Sequence, residues 1–351
     1  MLTKIIREEQ IQKAKKQVEE CDNFVIVTHL SPDGDAIGSS LGLYHFLTEY
    51  GKDQVSVIVP NDFPEFLKWM PGTKDIVIYE KYPDFAEQLI REAEVIFCLD
   101  FNAPKRIAAL AAPVVAADAV RIMVDHHLEP DGFCSIVMSY PEMSSTSEMV
   151  FRLICRMGQF DLLSKEAAEC IYTGMMTDTG SFTYHSNEPE IYVIIGELIK
   201  KGIDKDAIYR KVYQVYSEWR LRLFGYVLYE KMKMYPEQHA ALITLTRKEA
   251  ARFNYVSGDA ENFVNQPLSI KNTVFSVFLR EDKDYIKVSL RSVGDFPCNQ
   301  FAGTYFNGGG HKNASGGEFH GTMKDAIDTF EKGLMQFNPN NFEDLNKHIE
   351  I

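Results

Sequence analysis

The chain has 351 residues, with 37 Lys and Arg against 50 Asp and Glu, which gives a formal net charge of −13 at pH 7. Apolar residues make up 45% and charged residues 25%, ordinary values for a globular protein that exclude a collagen, a coiled coil or a mainly disordered chain. The length predicts two domains, and the acidic excess argues against a broad surface for duplex nucleic acid, which needs Lys and Arg to replace phosphate counterions.

Short apolar runs alternate with helical patterns over the first half of the chain. Strand-like runs lie at 24–29, 55–60, 75–80, 95–100 and 120–125, and helical patterns lie at 36–51, 83–94 and 105–112. Continuous apolar strands that alternate with helices predict a mostly parallel sheet covered on both faces. Ligands of such sheets bind at the carboxyl ends of the strands.

The pattern from about 146 to 235 is nearly all helical and begins with a cap at Ser145 or Thr146 ahead of Glu148. Strand-like runs return at 240–246, 273–281 and 285–292, with a hairpin signal at 281–284, and a helical pattern follows at 324–337. We therefore predict an α/β protein with a mostly parallel, helix-covered sheet at 1–190, a helical connector at 191–237 and a smaller mixed α/β domain at 238–351.

No apolar run approaches the ~20 residues that a membrane-spanning helix needs. The N-terminal segment is charged and amphipathic and carries no signal-peptide core, so we expect a cytoplasmic protein. The six cysteines are scattered without a C-x-x-C pair, which predicts neither a disulfide framework nor a zinc cluster.

Acidic and imidazole side chains follow the ends of predicted elements at four places. These residues are His29, Asp33 and Asp35 in THLSPDGD, Asp100 in LDFN, Asp125, His126 and His127 in VDHH, and Asp178 in MTDTG. A single Asp at a strand end is more often a turn former or a helix cap than a ligand. Buried carboxylates, however, are costly unless they are paired or bind a metal. The coincidence of the four places therefore predicts two divalent ions, which can hold a hydroxide between them for an in-line displacement.

The H-x-x-x-D-x-D, L-D, D-H-H and T-D-T-G elements, in this order, resemble the DHH phosphoesterase family. The segments VSLRS at 288–292 and NGGGHKNASGG at 307–317 resemble its associated substrate domain. That family includes single-strand exonucleases, manganese pyrophosphatases, exopolyphosphatases and small nucleotide phosphodiesterases. The layout is most similar to its bacterial nanoRNase and pAp phosphatase group, with no sensor or membrane segment predicted. The tail after about residue 337 is a departure that we do not assign.

The resemblance implies two divalent cations, Mn²⁺ first, with Mg²⁺ or Co²⁺ as alternatives. One cation would bind His29, Asp33 and Asp100, and the other would bind Asp35, Asp100, His126 and Asp178, with Asp100 bridging. His127 would face the substrate phosphate as a donor or acid, and Asp125 would orient the site. A third metal ligand or a structural histidine stays open for His127, and a purely structural role stays open for Asp125.

In the second domain the resemblance implies that Arg291, Gly309, Gly310 and His311 bind the substrate. Glycines let a backbone approach a phosphate, and an arginine can bind a phosphate bidentately. The alternatives are a flexible loop for the glycines and a solvated strand residue for the arginine. We expect the active site in the cleft between the two domains.

The expected reaction is hydrolysis of short oligoribonucleotides, including linear dinucleotides, or of 3′-phosphoadenosine 5′-phosphate (pAp), by a hydroxide that bridges the two metals. An inorganic pyrophosphatase or exopolyphosphatase, a cyclic-dinucleotide phosphodiesterase and, more remotely, a non-catalytic nucleotide sensor remain alternatives. Aromatic residues near the glycine run would either stack on a base or belong to the core: Phe296, Phe301, Tyr305 and Phe306. The expected partners are short single-stranded RNA or a small nucleotide, with no duplex DNA and no membrane, and a homodimer stays open.

Overall fold

A computed structural model of the chain describes residues 3–337, so the unassigned tail lies outside the described residues. The chain divides into two compact units, the first ending at Val215 and the second beginning at Tyr216. Among the described helices, each is too short or too polar to span a lipid bilayer.

The first unit is built on a six-stranded parallel sheet with the strand order β3-β2-β1-β4-β5-β6. The strands are β1 (Asn23–Val27), β2 (Gln54–Val59), β3 (Val77–Ile78), β4 (Val95–Leu99), β5 (Val120–Asp125) and β6 (Ile136–Ser139). The helices are α1 (Glu8–Glu20), α2 (Gly34–Glu49), α3 (Pro83–Glu92), α4 (Ala111–Ala116), α5 (Thr146–Arg156), α6 (Lys165–Asp178), α7 (Pro189–Lys200) and α8 (Lys205–Tyr213).

Alternate residues of the central strands face two separate hydrophobic clusters, one on each side of the sheet. In β4, for example, Phe97 belongs to one cluster, and Ile96 and Cys98 belong to the other. This two-sided burial confirms the prediction of a parallel sheet covered by helices, because a strand buried on both faces is apolar at every position.

Two local predictions for this unit were incomplete. The sixth strand was missed because its residues alternate between buried and half-buried positions over only four residues. The helix expected at 105–112 is a 3₁₀ segment, Pro104–Leu110, whose backbone leaves helical geometry at Ala108 (φ 47°, ψ −128°) before α4 begins. The alanine-rich sequence favours a regular helix, and the tertiary structure overrides that preference.

Helices α2 and α6 pack closely because glycines line their contact. A Cβ atom added at Gly38 would lie 2.6 Å from the Cys170 carbonyl oxygen and 2.8 Å from the Gly174 nitrogen. Gly34, one turn earlier, would meet the Thr177 side chain in the same way. The absence of these side chains lets the two backbones approach, and it brings the start of α2 near the end of α6.

The second unit contains a mixed six-stranded sheet with the order β11-β12-β10-β9-β8-β7, in which only β8 and β9 pair in parallel. Its strands are β7 (Met232–Tyr235), β8 (Ala240–Leu245), β9 (Phe275–Glu281), β10 (Ile286–Ser292), β11 (Gly309–His311) and β12 (Ala314–Phe319). Its helices are α9 (Glu218–Tyr226), α10 (Arg247–Arg252), α11 (Cys298–Tyr305) and α12 (Met323–Gln336).

The second sheet confirms the predicted mixed domain and the hairpin between β9 and β10. The prediction of a nearly all-helical pattern as far as about 235 was wrong at its end. Helix α9 continues into a π-helical turn at Val227–Lys231, and β7 then pairs with β8. Pairing with the next strand, β8, decides this segment, and the helical periodicity of the sequence does not report that pairing.

Candidate metal centre and active site

The order in which the chain adds strands to the first sheet reverses beside β1. The chain adds β2 and β3 on one side of β1, and it then returns to add β4, β5 and β6 on the other side. A crevice forms at the carboxyl ends of the strands at such a point. His29 lies two residues after β1, Asp100 directly follows β4, and Asp125 is the last residue of β5. The fold therefore brings three of the predicted site segments to one edge.

His29 points its Nε2 atom toward two carboxylates. Nε2 lies 3.4 Å from Asp100 Oδ2 and 3.8 Å from Asp33 Oδ1, while Nδ1 lies 2.9 Å from the Leu30 carbonyl oxygen. A carbonyl can only accept a hydrogen bond, so Nδ1 is the donor nitrogen. The Nε2 atom is then directed between the carboxylates, as in a histidine that binds a metal.

Asp100 lies between two imidazoles. Its Oδ2 atom faces His29, and its Oδ1 atom lies 3.6 Å from His126 Nε2 and 3.0 Å from Thr146 Oγ1, which donates to it. The residue is only 2% exposed, and its backbone has a φ of 63°, a left-handed conformation that is uncommon outside glycine. The fold holds this carboxylate in place despite that strain.

A second set of side chains surrounds His126. Its Nε2 atom lies 3.4 Å from Asp178 Oδ2, 3.6 Å from Asp100 Oδ1 and 3.9 Å from Asp35 Oδ2. Its Nδ1 atom lies 3.1 Å from the Met143 carbonyl oxygen, which assigns the proton to Nδ1 as in His29. The six predicted metal ligands thus form two neighbouring groups that share Asp100.

The start of α5 contacts the same carboxylates, and this was not predicted. Ser145 caps the helix by accepting from the Glu148 amide, as the sequence indicated. The next two amides donate to one carboxylate, with Thr146 N 2.6 Å from Asp35 Oδ2 and Ser147 N 2.9 Å from Asp35 Oδ1. The positive end of a helix dipole therefore stabilises Asp35. Only the tertiary packing of α5 against α2 reveals this role.

The nearby carboxylates raise the pKa of both His29 and His126. Burial alone would lower the pKa of His29, but hydrogen bonds and charge, Asp100 first, raise it to about 10. Burial also opposes the charge on His126, and the nearby Asp178 and Asp100 raise its pKa to about 9. Burial, followed by repulsion from Asp100, raises the pKa of Asp35 well above its ordinary value. The site therefore has a strongly negative field that favours cations.

These residues fit divalent cations. Ligand atoms within 4.8 Å of one another occur in the groups His29, Asp33 and Asp100, and Asp35, Asp100 and His126. Asp35 and Asp100 are at most 2% exposed, and within residues 3–337 neither forms an ion pair with a lysine or arginine. Two buried carboxylates without a lysine or arginine partner depend for positive charge on the protonated imidazoles, or on a cation bound in place of the Nε2 protons.

His127 lies in a third arrangement. Its Nδ1 atom is 2.7 Å from Asp125 Oδ1, and its backbone amide donates to Asp125 Oδ2 at 2.9 Å. Its Nε2 atom is 3.2 Å from a terminal nitrogen of Arg106, which donates to it. Asp125 is fully buried and accepts from both the backbone amide and Nδ1 of His127, which fixes the tautomer of the imidazole. Arg106 was missed because its sequence context, PKRIAAL, reads as an ordinary helix.

In the second unit, strand register relates the predicted substrate residues. Ala314 of β12 pairs with Arg291 on one side and with His311 on the other. Residues directly opposite in antiparallel strands point to the same face, so Arg291 and His311 share a face, two strand spacings or about 10 Å apart. Arg291 also donates to the Leu290 carbonyl oxygen at 2.9 Å.

Gly309 and Gly310 differ in whether the structure has room for a side chain at their positions. Gly310 has a φ of 138°, and a Cβ atom there would lie 2.7 Å from the Ala314 carbonyl oxygen, so the backbone itself requires glycine. A Cβ atom at Gly309 would meet nothing within 4 Å. Gly309 thus presents bare backbone to open space, as a site for close approach of a phosphate needs.

The nearby aromatic residues belong mostly to the core. Phe296, Phe301 and Phe306 are fully buried in the cluster that also contains β9 and α12, and Tyr305 packs against this cluster. The core interpretation therefore holds for the three phenylalanines, and they are not available to stack on a base.

The chain was compared with protein families and with known proteins. Residues 23–175 match the DHH family N-terminal domain, and residues 240–337 match the DHHA1 domain. A bifunctional oligoribonuclease and PAP phosphatase, NrnA, of Thermus thermophilus is 32% identical over 84% of this chain and 84% of its own length. The cyclic-di-AMP phosphodiesterase GdpP of Bacillus subtilis is 23% identical over 94% of this chain and 51% of its own length.

A crystal structure of an exopolyphosphatase-related protein from Bacteroides fragilis has a TM-score of 0.94 and 61% identity, covering 97% of this chain and all of that one. This similarity extends over both units, and the family matches cover the clustered aspartates and histidines other than Asp178, and the glycine run. The chain therefore belongs to the DHH family of phosphoesterases, which hydrolyse phosphoric ester bonds.

Proposed function

We propose that the first unit binds two divalent cations, Mn²⁺ first, and that the enzyme hydrolyses short oligoribonucleotides and pAp. One cation site consists of His29, Asp33 and Asp100. The second consists of Asp35, Asp100, His126 and Asp178, with Asp100 shared. The proposal follows the sequence prediction residue by residue.

The position of Asp100 carries this proposal. Its two oxygens face different imidazoles, at 3.4 Å from His29 and 3.6 Å from His126. A buried carboxylate that only stabilised one histidine would need one such contact. Two opposed contacts, held on a strained backbone, suit a ligand shared by two cations.

The residues of the chain have separate tasks in this proposal. Bound divalent cations lower the pKa of water and offset charge on a phosphoryl group. Asp35 is held by the amides of Thr146 and Ser147, so it needs no rearrangement to bind a cation. Asp125 orients the imidazole of His127 beside the proposed cation sites. His127 then faces the reacting phosphate.

The choice of a short nucleotide rests on two kinds of support. The relatives from Thermus thermophilus and Bacillus subtilis are named for oligoribonuclease, PAP phosphatase and cyclic-di-AMP phosphodiesterase activities. In the second unit, Arg291, Gly309 and His311 offer a guanidinium, an open backbone and an imidazole, which suit a phosphate or a sugar away from the reacting phosphorus.

A turnover screen tests the proposal. The protein is stripped of metal, reloaded with Mn²⁺, and assayed against pApA, pAp, cyclic di-AMP and inorganic pyrophosphate. We expect kcat/KM for pApA or pAp to exceed that for pyrophosphate at least about 10-fold. The stripped protein and an Asp100→Asn protein are the controls.

Turnover of pyrophosphate alone would replace the proposal with the pyrophosphatase alternative. Cyclic di-AMP as the preferred substrate would replace it with the cyclic-dinucleotide alternative. A loaded, folded protein that hydrolyses none of the four compounds would contradict it altogether.

A further inference from the structure

Arg106 is a half-buried cation beside the proposed metal centre, and no role has been assigned to it so far. It belongs to the 3₁₀ segment Pro104–Leu110, which follows the strand that ends before Asp100. Its terminal nitrogen lies 3.2 Å from His127 Nε2. His127 Nδ1 in turn lies 3.8 Å from Asp100 Oδ1, so only one imidazole ring separates the guanidinium from the shared carboxylate.

The backbone of Arg106 is fixed to the loop that carries the first metal group. Its carbonyl oxygen accepts from the Leu30 amide at 2.8 Å, and its own amide donates to the Ala103 carbonyl at 3.0 Å. Leu30 directly follows His29. The segment therefore holds the root of this side chain at a defined distance from the site, which a solvated surface arginine would not need.

The guanidinium keeps most of its donors for another partner. An arginine has five N–H groups and no acceptor, and its side-chain hydrogen bond within residues 3–337 is the one to His127. No carboxylate of this part of the chain forms an ion pair with it. A half-buried arginine with unused donors is suited to bind an anion in a fork.

His127 restricts what the anion can contact. Asp125 accepts the Nδ1 proton, which leaves Nε2 as the acceptor for Arg106. In this arrangement the imidazole orients the guanidinium, and its Nε2 atom, which faces the guanidinium, carries no proton. The donors available at this position are those of the arginine.

We propose that Arg106 contacts the substrate directly and binds the non-bridging oxygens of the phosphate that is hydrolysed. The inference rests on the proposed function and deepens it, since it names the group that recognises the reacting phosphate. Arg106 offsets negative charge that the many carboxylates of the site would otherwise repel.

The chain offers a matched control for this proposal. Lys105 is the preceding residue, is exposed and carries the same charge. Lys105→Ala changes the net charge as Arg106→Ala does, but it removes no contact to His127. Arg106→Lys keeps the charge and loses the planar fork. The thermal midpoint and Mn²⁺ content of all variants are measured first, and we expect both to stay at the wild-type values.

We expect Arg106→Ala to lower kcat/KM for pApA by about 10- to 150-fold, the value of one charge-assisted contact. Arg106→Lys should lose less, and Lys105→Ala should lose nothing beyond about 2-fold. Binding of inorganic phosphate, measured by calorimetry on the Mg²⁺-loaded protein, should weaken by a similar factor in Arg106→Ala only.

The phosphate measurement separates this inference from the proposed function. Phosphate binding that depends on Arg106 in a protein that hydrolyses no nucleotide would contradict the proposed function and support the inference. Nucleotide turnover by the wild type, with unchanged phosphate binding and unchanged kcat/KM in Arg106→Ala, would support the proposed function and contradict the inference. A wild-type protein that binds no phosphate would also overturn the inference.

A double variant distinguishes contact from positioning. If Arg106 touches the phosphate, adding Arg106→Ala to the His127→Ala protein should lower kcat/KM by at least about a further 10-fold. If Arg106 acts only by orienting His127, its removal should cost nothing further in that background. The second result would make Arg106 a positioning residue and overturn the proposal.

Discussion

Asp100 has its carboxylate oxygens directed at two different histidines, so its charge and its geometry are both needed. Asp100→Asn keeps the size of the side chain and removes one anionic oxygen. We expect kcat for pApA to fall by about 10³-fold or more, because neither cation site keeps its full negative charge. The measurement is steady-state kinetics with Mn²⁺ titration, alongside circular dichroism to show that the fold persists.

Asp53→Asn is the matched control for this change, since Asp53 is an exposed aspartate of the same unit. Its turnover should equal that of the wild type. Normal turnover by a folded Asp100→Asn protein would contradict the two-metal assignment.

The two adjacent histidines should respond differently to alanine substitution. His126 has Nε2 among three carboxylates, whereas His127 has its ring nitrogens against Asp125 and Arg106. We expect His126→Ala to lose bound Mn²⁺ in elemental analysis after gel filtration. His127→Ala should retain Mn²⁺ and slow turnover by roughly 10- to 150-fold, because it removes the imidazole that orients Arg106. Loss of metal from His127→Ala, but not from His126→Ala, would exchange the two roles.

Among the elements, the contact between α2 and α6 positions Asp35 and Asp178. Gly38→Ala would place a methyl group 2.6 Å from a backbone oxygen of α6, which cannot move alone. We expect the free energy of unfolding to fall by about 1–3 kcal/mol, the usual cost of overpacking. Urea unfolding measures the loss, and Mn²⁺ affinity should fall with it because the two helices separate.

Gly196→Ala serves as the control, since an added Cβ atom on α7 would meet nothing within 4 Å. It should leave stability unchanged or raise it by up to about 1 kcal/mol, as alanine favours a helix more than glycine does. Equal effects of the two substitutions would refute the packing argument.

Glu249 links α10 to the end of α9 and the π turn after it. Its oxygens accept from Thr246, Tyr226 and Lys231, with Lys231 at 2.7 Å. Burial alone would raise its pKa, but these hydrogen bonds, Lys231 first, lower it to about 2 from an ordinary value of 4.5. Because the pKa is lower in the folded state, the carboxylate stabilises the fold above about pH 4.5, and this contribution disappears as the pH falls toward 2.

The consequence can be measured with Glu249→Gln. At pH 7 we expect this variant to be less stable than the wild type by about 1–2 kcal/mol, which is less than the full pKa shift implies because solvent screens this partly exposed group. The difference should shrink as the pH is lowered from 5 to 3.5, as followed by urea unfolding. Glu237→Gln, at an exposed glutamate of the same unit, should show no such trend. A difference that is independent of pH would show that the carboxylate charge is not responsible.

At the scale of the whole molecule, the second unit is proposed to act on the substrate away from the reacting phosphorus. Arg291→Ala and His311→Ala should then damage hydrolysis of pApA far more than that of bis-p-nitrophenyl phosphate. Each lost contact should be worth about 1.5–3 kcal/mol, or roughly 10–150-fold in kcat/KM. Steady-state kinetics on both substrates measure it.

Lys283→Ala, at an exposed lysine in the hairpin of the same unit, is the control for charge. Equal losses on the two substrates would mean that Arg291 and His311 serve the reacting phosphate. No loss on either would return the glycine run to a structural role.

The sequence by itself determined the fold class and the family. Apolar runs such as VIFCL and FVIV, separated by helical patterns, predicted the parallel sheet because burial on both faces requires apolar residues at every position. The spacing of His29, Asp33 and Asp35 in one loop, and the adjacent Asp125, His126 and His127, are local properties of the chain. They identified the candidate residues before any contact was known.

The tertiary structure alone decided how those residues are held and which others join them. Ser145 and Thr146 were interpreted only as a helix cap, and only the packing of α5 turns the amides of Thr146 and Ser147 toward Asp35. Arg106 reads as a helix residue, and only its place after β4 directs it to His127. These contacts join residues that are far apart in sequence, and local preferences carry no information about such pairs. The end of the predicted helical pattern at 235 has a different reason: this segment is a strand because it pairs with the next strand, β8, and strand preference depends on such pairing.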